Sequence, residues 1–165
     1  MKSVTVRPAA RADIPQLLAL VRHYWDYEHI PRFEALRMEL LLQRLLAAPH
    51  LGGVWVAEAQ GRLTGYLVAV TVLSLEHGGL MAEIDELFVW PEARAHGVGS
   101  RLLAAAEAAL AARGCVRLQL ELGVTNSAAR AFYERRGYAP RAGYQLIDKA
   151  LSGPHPEEFP CVSRP

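Results

Sequence analysis

Cysteine is scarce in this chain: Cys115 and Cys161 are the two in 165 residues. Neither their number nor their spacing suits a disulfide-stapled scaffold or a zinc site. Cys115, entering a strand-like run, reads as a core residue, and six scattered histidines suggest no metal. A charge imbalance is lacking too. Eighteen basic residues against 17 acidic leave a net charge of +1, so there is no global electrostatic case for nucleic acid or an anionic membrane as partner. Long apolar runs are also missing. The uncharged stretch between Arg62 and Glu76 falls short of the ~18 to 20 residues that span a bilayer, and MKSVTVRPAARAD has no signal-peptide core. The expectation is a cytoplasmic protein with no internal repeat.

What is present is enough apolar material for one core: 52% of residues are hydrophobic and 21% charged. One domain is expected over residues 1–150, followed by a proline-rich tail over 151–165. Ser3 to Arg7 alternates as a strand. From Arg11, the residues Ile14, Leu17, Leu18 and Val21 recur at helical spacing, with Pro15 tolerable in the first turn. Pro31 opens a second helical pattern through Phe33, Leu36, Leu40 and Leu45. GGVWVAEA and LTGYLVAVTVLSL, joined by AQGR, read as a hairpin, and HGG turns the chain into LMAEIDELFVW. A glycine loop and a long helix follow, then the strand CVRLQLEL. SAARAFYERRG forms a short helix ending at Gly137, and Tyr144 to Ile147 is a last strand-like run. The class is mixed α/β, a hairpin-built sheet with helices interposed.

The loop PEARAHGVGS has the strongest physical meaning. Gly97 and Gly99 remove side chains where strand meets helix, so backbone can approach a ligand, and the first-turn N–H groups present the positive end of the helix dipole. Such a place attracts phosphate. Arg94 adds a permanent charge, His96 a conditional one, and Ser100 a hydroxyl. A dinucleotide fold would need GxGxxG directly after an early strand, but Leu102 occupies the third glycine's place. A P-loop would need a lysine after the second glycine, and there is none.

Val89, Pro91-Glu92 and Arg94-Ala95-His96-Gly97-Val98-Gly99 together resemble the acetyl-CoA loop of the GNAT superfamily, the Gcn5-related N-acetyltransferases. Asn126, Ala129, Phe132-Tyr133 and Arg136-Gly137-Tyr138 resemble its second motif, in the right order and at the expected distance. One departure is Ala95, where many relatives have glycine. The resemblance implies a GNAT fold: a mixed, mostly antiparallel sheet with a splay between the fourth and fifth strands, flanked by helices. It implies acetyl-CoA as acetyl donor. In such proteins Leu87, Phe88 and Val89 would pair with the pantetheine arm as an added strand. A backbone N–H near Val89 would polarise the thioester carbonyl. Residues Ala95 to Ser100 would wrap the pyrophosphate, and Asn126 would bond the pantetheine.

The attacking amine must lose a proton and the departing thiolate must be stabilised. Tyr133 is the expected acid, since a phenol stays protonated where a thiol begins to ionise; the alternative is a packing partner for Phe132. The expected base is one of the acids on the strand at Glu83 to Val89. Strict alternation puts Glu83 and Asp85 on one face and Glu86 with Phe88 on the other. Histone-type relatives carry their glutamate in a context resembling Ala82-Glu83-Ile84, polyamine-type relatives at the position matching Asp85, and the choice stays open. HYWDYEHIP, from His23 to Pro31, joins aromatic rings to carboxylates, a pairing that suits an ammonium group. Its Tyr27-Glu28 resembles the substrate-meeting stretch of diamine and thialysine acetyltransferases, while Tyr24 and Trp25 are open to a core or homodimer role. The expected acceptor is a small primary amine, diamine or lysine-like, ahead of aminoglycosides, amino acids and protein lysines or N-termini. A non-catalytic acetyl-CoA-binding module is the competing class.

Overall fold

The computed structural model describes residues 4–151, which leaves Ser3, Cys161 and the tail over 152–165 outside the described residues. The chain divides into two compact units after Glu121.

The first unit is built on a five-stranded sheet in the order β1-β2-β3-β4-β5. Its strands are β1 (Thr5–Pro8), β2 (Gly52–Ala59), β3 (Arg62–Ser74), β4 (Gly79–Val89) and β5 (Cys115–Leu120). The first four are antiparallel neighbours, and β4 pairs parallel with β5. The turn at Gln60-Gly61 has both residues at positive φ, which matches the twist of a tight hairpin. Three helices accompany the sheet: α1 (Ile14–Tyr27), α2 (Ala35–Ala47) and α3 (Val98–Ala112). Pro15 lies in the first turn of α1, where its missing N–H costs nothing. The second helix begins at Ala35, four residues beyond Pro31, after a stretch with Arg32 in left-handed backbone.

Leu17, Leu20 and Val21 of α1 and Leu42 of α2 pack on the sheet face that carries Val54, Val56, Tyr66, Val68 and Phe88. The apolar stripe of each helix thus meets alternate residues of three strands. Helix α3 lies on the other face: a methyl group at Gly65, the neighbour of Tyr66 in β3, would sit 3.3 Å from Leu102 Cδ1. Arg7 fastens β1 to the start of the helical layer. It donates to Asp13 at 2.7 and 2.9 Å and to Glu58 at 2.7 Å, and Asp13 also accepts the Ala10 N–H. No helix among the described residues is long and apolar enough to cross a membrane.

Two features depart from simple periodicity. Val68 pairs with Glu86 and Ala69 with Ile84, so Asp85 has no partner on β3 and forms a bulge. Glu83 stands opposite Val70 and Glu86 opposite Val68. Because Val68 and Val70 share a face, Glu83 and Glu86 share it too. The expected alternation of Glu83 against Glu86 is therefore corrected by one inserted residue. The other feature lies in the second unit, which contains α4 (Ser127–Glu134). There the run Tyr144–Ile147, expected as a strand, joins no ladder among the described residues, and Tyr144, Leu146 and Ile147 are exposed. β-Propensity without a pairing edge does not make a strand.

Candidate active site

Two sites take shape in the first unit, one along the end of β4 and one between the sheet and the first two helices. Pairing of β4 with β5 stops at Ile84–Leu120, yet β4 runs on to Val89. The sheet is therefore open on the β5 side along Asp85–Val89, as the expected splay requires. Leu87, Phe88 and Val89 are held from the other side by Leu67, Tyr66 and Gly65. Trp90 N–H faces β3, bonding Thr64 C=O at 2.9 Å, so Val89, its neighbour, turns its own backbone groups to the open edge. There the Val89 carbonyl accepts Arg94 Nε–H at 2.9 Å. The Arg94 guanidinium lies 5.4 Å from the Tyr27 ring centre and 5.7 Å from that of Phe88.

The loop after β4 is exposed from Arg94 to Gly97 and turns sharply into α3. Ala95 has φ 62° and Gly97 φ 72°. Glycine adopts that conformation freely, whereas alanine pays about 1 to 2 kcal/mol for it. His96 Nδ1 lies 2.7 Å from the Arg94 carbonyl oxygen, an arrangement that places the proton on Nδ1. Gly97 is the N-cap of α3, and the first bond of the helix runs from Arg101 N–H to Gly97 C=O at 3.1 Å. Val98 and Gly99 N–H precede that bond and have no backbone acceptor among the described residues. The residues Arg94 to Ser100 thus gather a cation and helix-start donors in one place, a setting that fits a pyrophosphate.

The second site is a cleft of about 780 Å³ between α1, α2 and the strands β3 and β4, lined by Val21, Trp25, Leu42, Val68, Asp85 and Glu86 among others. A volume of that order suits a small molecule. Its acidic wall is built with care. Glu86 Oε1 accepts Trp25 Nε1–H at 2.8 Å and Oε2 accepts the Tyr66 hydroxyl at 2.7 Å. Burial raises the Glu86 pKa, the two hydrogen bonds pull it back, and Asp85 raises it further. Tyr66 is buried and pushed well above the usual tyrosine range, so it remains a donor. Asp85, on the bulge, keeps an exposed surface, yet the surrounding cleft walls partly desolvate its carboxyl and raise its pKa, and the charge of Glu83 raises it further. Glu83 accepts Gln119 Nε2–H at 2.7 Å across to β5 and does not line the cleft.

Tyr27 and Glu28 do not line the cleft either; Tyr27 is exposed under Arg94. From the same stretch Trp25 and Pro31 reach the site. Glu86 as anchor, Trp25 as its partner and Arg37 of α2 were missed by sequence reasoning. A signal for Arg37 existed: Arg37, Leu41 and Arg44 recur at i, i+4 and i+7, one face of a helix, and all three line the cleft.

In the second unit, Asn126 caps α4, its Oδ1 accepting Ala129 N–H at 3.0 Å. Tyr133 is buried, with ring contacts to Phe132 at 5.0 Å and Tyr138 at 5.4 Å. Burial pushes its hydroxyl pKa up to about 12, against a smaller lowering by Arg136.

An open strand edge for a donor beside a separate acid-walled cleft for an acceptor is the layout of a group-transfer enzyme. The family model described as acetyltransferase (GNAT) family matches residues 17–138. The chain is 32% identical over 141 residues to the uncharacterized N-acetyltransferase YhfO of Bacillus subtilis strain 168, covering 86% of this chain and 93% of that protein. It is 32% identical over 83 residues to the aminoalkylphosphonate N-acetyltransferase of Salmonella typhimurium strain LT2, half of this chain and 54% of that one. Its fold is similar to that of the aminoglycoside N-acetyltransferase AAC(6')-Iy in complex with CoA, with TM-score 0.79, 18% identity, and coverage of 92% and 97%. The chain belongs to the GNAT family and is an N-acetyltransferase of that family, whose members use acetyl-CoA.

Proposed function

We propose that this enzyme transfers an acetyl group to the primary amine of a small molecule, diamine or lysine-like, by direct attack within a ternary complex. The observation that carries the reading is the cleft with two carboxylates, Asp85 and Glu86, on one wall. A cleft of about 780 Å³ is of the size that takes a small molecule, which favours a small amine. The Salmonella relative, named for small amines, supports the same direction.

Acetyl-CoA supplies the activated acetyl thioester. The open edge at Leu87, Phe88 and Val89 would hold the pantetheine, with Asn126 as a second contact through its amide NH2. Arg94, Ala95, His96, Gly97, Val98, Gly99 and Ser100 would hold the pyrophosphate. Val89 N–H is aimed at the open edge and is the donor assigned to the thioester carbonyl oxygen. Asp85 is the base: it lines the cleft, and its raised pKa brings it nearer the pH at which it must accept a proton. Glu83 supplies part of that shift, and Glu86, held by Trp25 and Tyr66, orients the ammonium. Tyr133 is the donor to the sulfur. With a pKa near 12 it stays protonated and acts by hydrogen bonding rather than by complete transfer. Tyr27 and Glu28 are assigned to the mouth, where an acceptor enters.

Thiol release from acetyl-CoA over a panel of diamines, amino acids, aminoglycosides and peptides tests this. Turnover with small amines and none with peptides is expected. Turnover with peptides alone would make the chain a protein acetyltransferase, and acetyl-CoA binding without thiol release from any amine would make it a non-catalytic module.

A further inference from the structure

The cleft carries charge of both signs, on different walls. Asp85 and Glu86 come from β4, while Arg37 and Arg44 come from α2 and Arg32 from the segment before it. Arg37 is half-buried, and its Nε–H is buried without a hydrogen-bond partner among the described residues. A buried guanidinium donor left unmatched is costly unless something fills it. Its planar fork fits a carboxylate or phosphonate in two parallel bonds.

We propose that the acceptor is an amine that also carries an anionic group, a carboxylate or phosphonate, which Arg37 binds from α2 while the ammonium faces Asp85 and Glu86 on β4. The inference rests on the acetyltransferase reading above and narrows its acceptor class. A bare diamine would set its second ammonium against the arginine wall, an unfavourable pairing of like charges. A lysine-like amine or an aminoalkylphosphonate satisfies both walls at once. Arg37 is thus a specificity residue, and Arg44, one face and two turns along α2, and Arg32 extend the same positive wall.

The test compares each anion-bearing amine with its anion-free counterpart, lysine against cadaverine and aminoethylphosphonate against ethylamine, by thiol release in wild type, Arg37→Met and Arg37→Lys. Methionine keeps the apolar stem and removes the charge. The expected result is kcat/KM at least about tenfold higher for one or both anion-bearing amines, and a rise in their KM of about 10- to 100-fold in Arg37→Met with kcat nearly kept, the pattern of lost uniform binding. Arg37→Lys recovers part of that loss, and KM for acetyl-CoA stays unchanged. Cadaverine and ethylamine used as well as their counterparts, or an Arg37→Met enzyme that does not distinguish itself from wild type, would overturn the anion site and leave acetyl transfer standing. A raised KM for acetyl-CoA with an unchanged acceptor KM would overturn it as well, by moving Arg37 to the donor. Thiol release absent with every amine, while acetyl-CoA still stabilises the fold, would instead remove the underlying reading.

Discussion

Replacing Asp85 by asparagine removes the proposed base while keeping the shape of the bulge. A primary amine with pKa near 10.4 is free to the extent of about 0.04% near pH 7 and about 4% near pH 9. The variant depends on that free fraction, so its kcat/KM should climb about tenfold per pH unit between those values. The wild-type enzyme, with the cleft carboxylate taking the proton, should be nearly level over the same range. Its activity should fall only on the acid side, where Asp85 protonates, and at a higher pH than an ordinary aspartate would give, because partial desolvation and Glu83 raise its pKa. A positioned base contributes roughly 10²- to 10⁴-fold; a gap of about 10³-fold at neutral pH corresponds to about 4 kcal/mol of barrier and should narrow to about tenfold near pH 9. Steady-state thiol release across pH, with Glu83→Gln alongside, reads this directly. Parallel profiles for Asp85→Asn and wild type would refute the assignment, and the steep profile appearing in Glu83→Gln alone would move the base to Glu83.

Tyr133→Phe keeps the ring against Phe132 and Tyr138 and should retain acetyl-CoA affinity while losing about 10²-fold in kcat; a wild-type rate would return Tyr133 to packing. Acetyl-CoA at about one hundred times its Kd should add about 2.7 kcal/mol, a Tm rise of roughly 5 to 10 °C. Gly97→Val should abolish that rise. A Cβ there meets no atom within 4 Å, but the valine backbone must hold φ 72°, so the unliganded Tm should also drop by a few degrees; an undiminished response to acetyl-CoA would remove the phosphate site from this loop. Asp13→Asn should cost about 2 to 3 kcal/mol near neutral pH, measured by urea unfolding, because the bonds from Arg7 are charge-assisted. Arg7 lowers the folded-state pKa of Asp13, so this stability is present above the unfolded-state value of about 3.9 and is lost as pH falls through the lower folded value. A difference that persists undiminished in strong acid would contradict the assignment.

Local signals carried much of the fold. The hairpin at Gln60-Gly61, the glycine loop at Gly97 before a long helix and the short helix after Asn126 each depend on a few adjacent residues, and each was legible. What depends on distant pairing was not. The bulge at Asp85 exists only in the register between β3 and β4, and it reverses the side taken by every residue beyond it. Glu86 looks like an ordinary strand charge until Trp25, 61 positions away, and Tyr66, 20 away, donate to its two oxygens. Arg37 likewise reads as a solvated helix residue until α2 lies over the sheet. The strand expected at Tyr144–Ile147 failed for the converse reason, since its residue types favour a ladder that no neighbour among the described residues completes.

The most direct test of acetyl transfer to a small amine uses acetyl-CoA labelled in its acetyl group, incubated with the enzyme and a small anion-bearing primary amine, with mass spectrometry of both the amine and the protein. The expected result is the label on the nitrogen of the amine, at a rate matching thiol release and dependent on Asp85. Label found only on protein lysines or N-termini, or retained on acetyl-CoA despite tight binding, would contradict it.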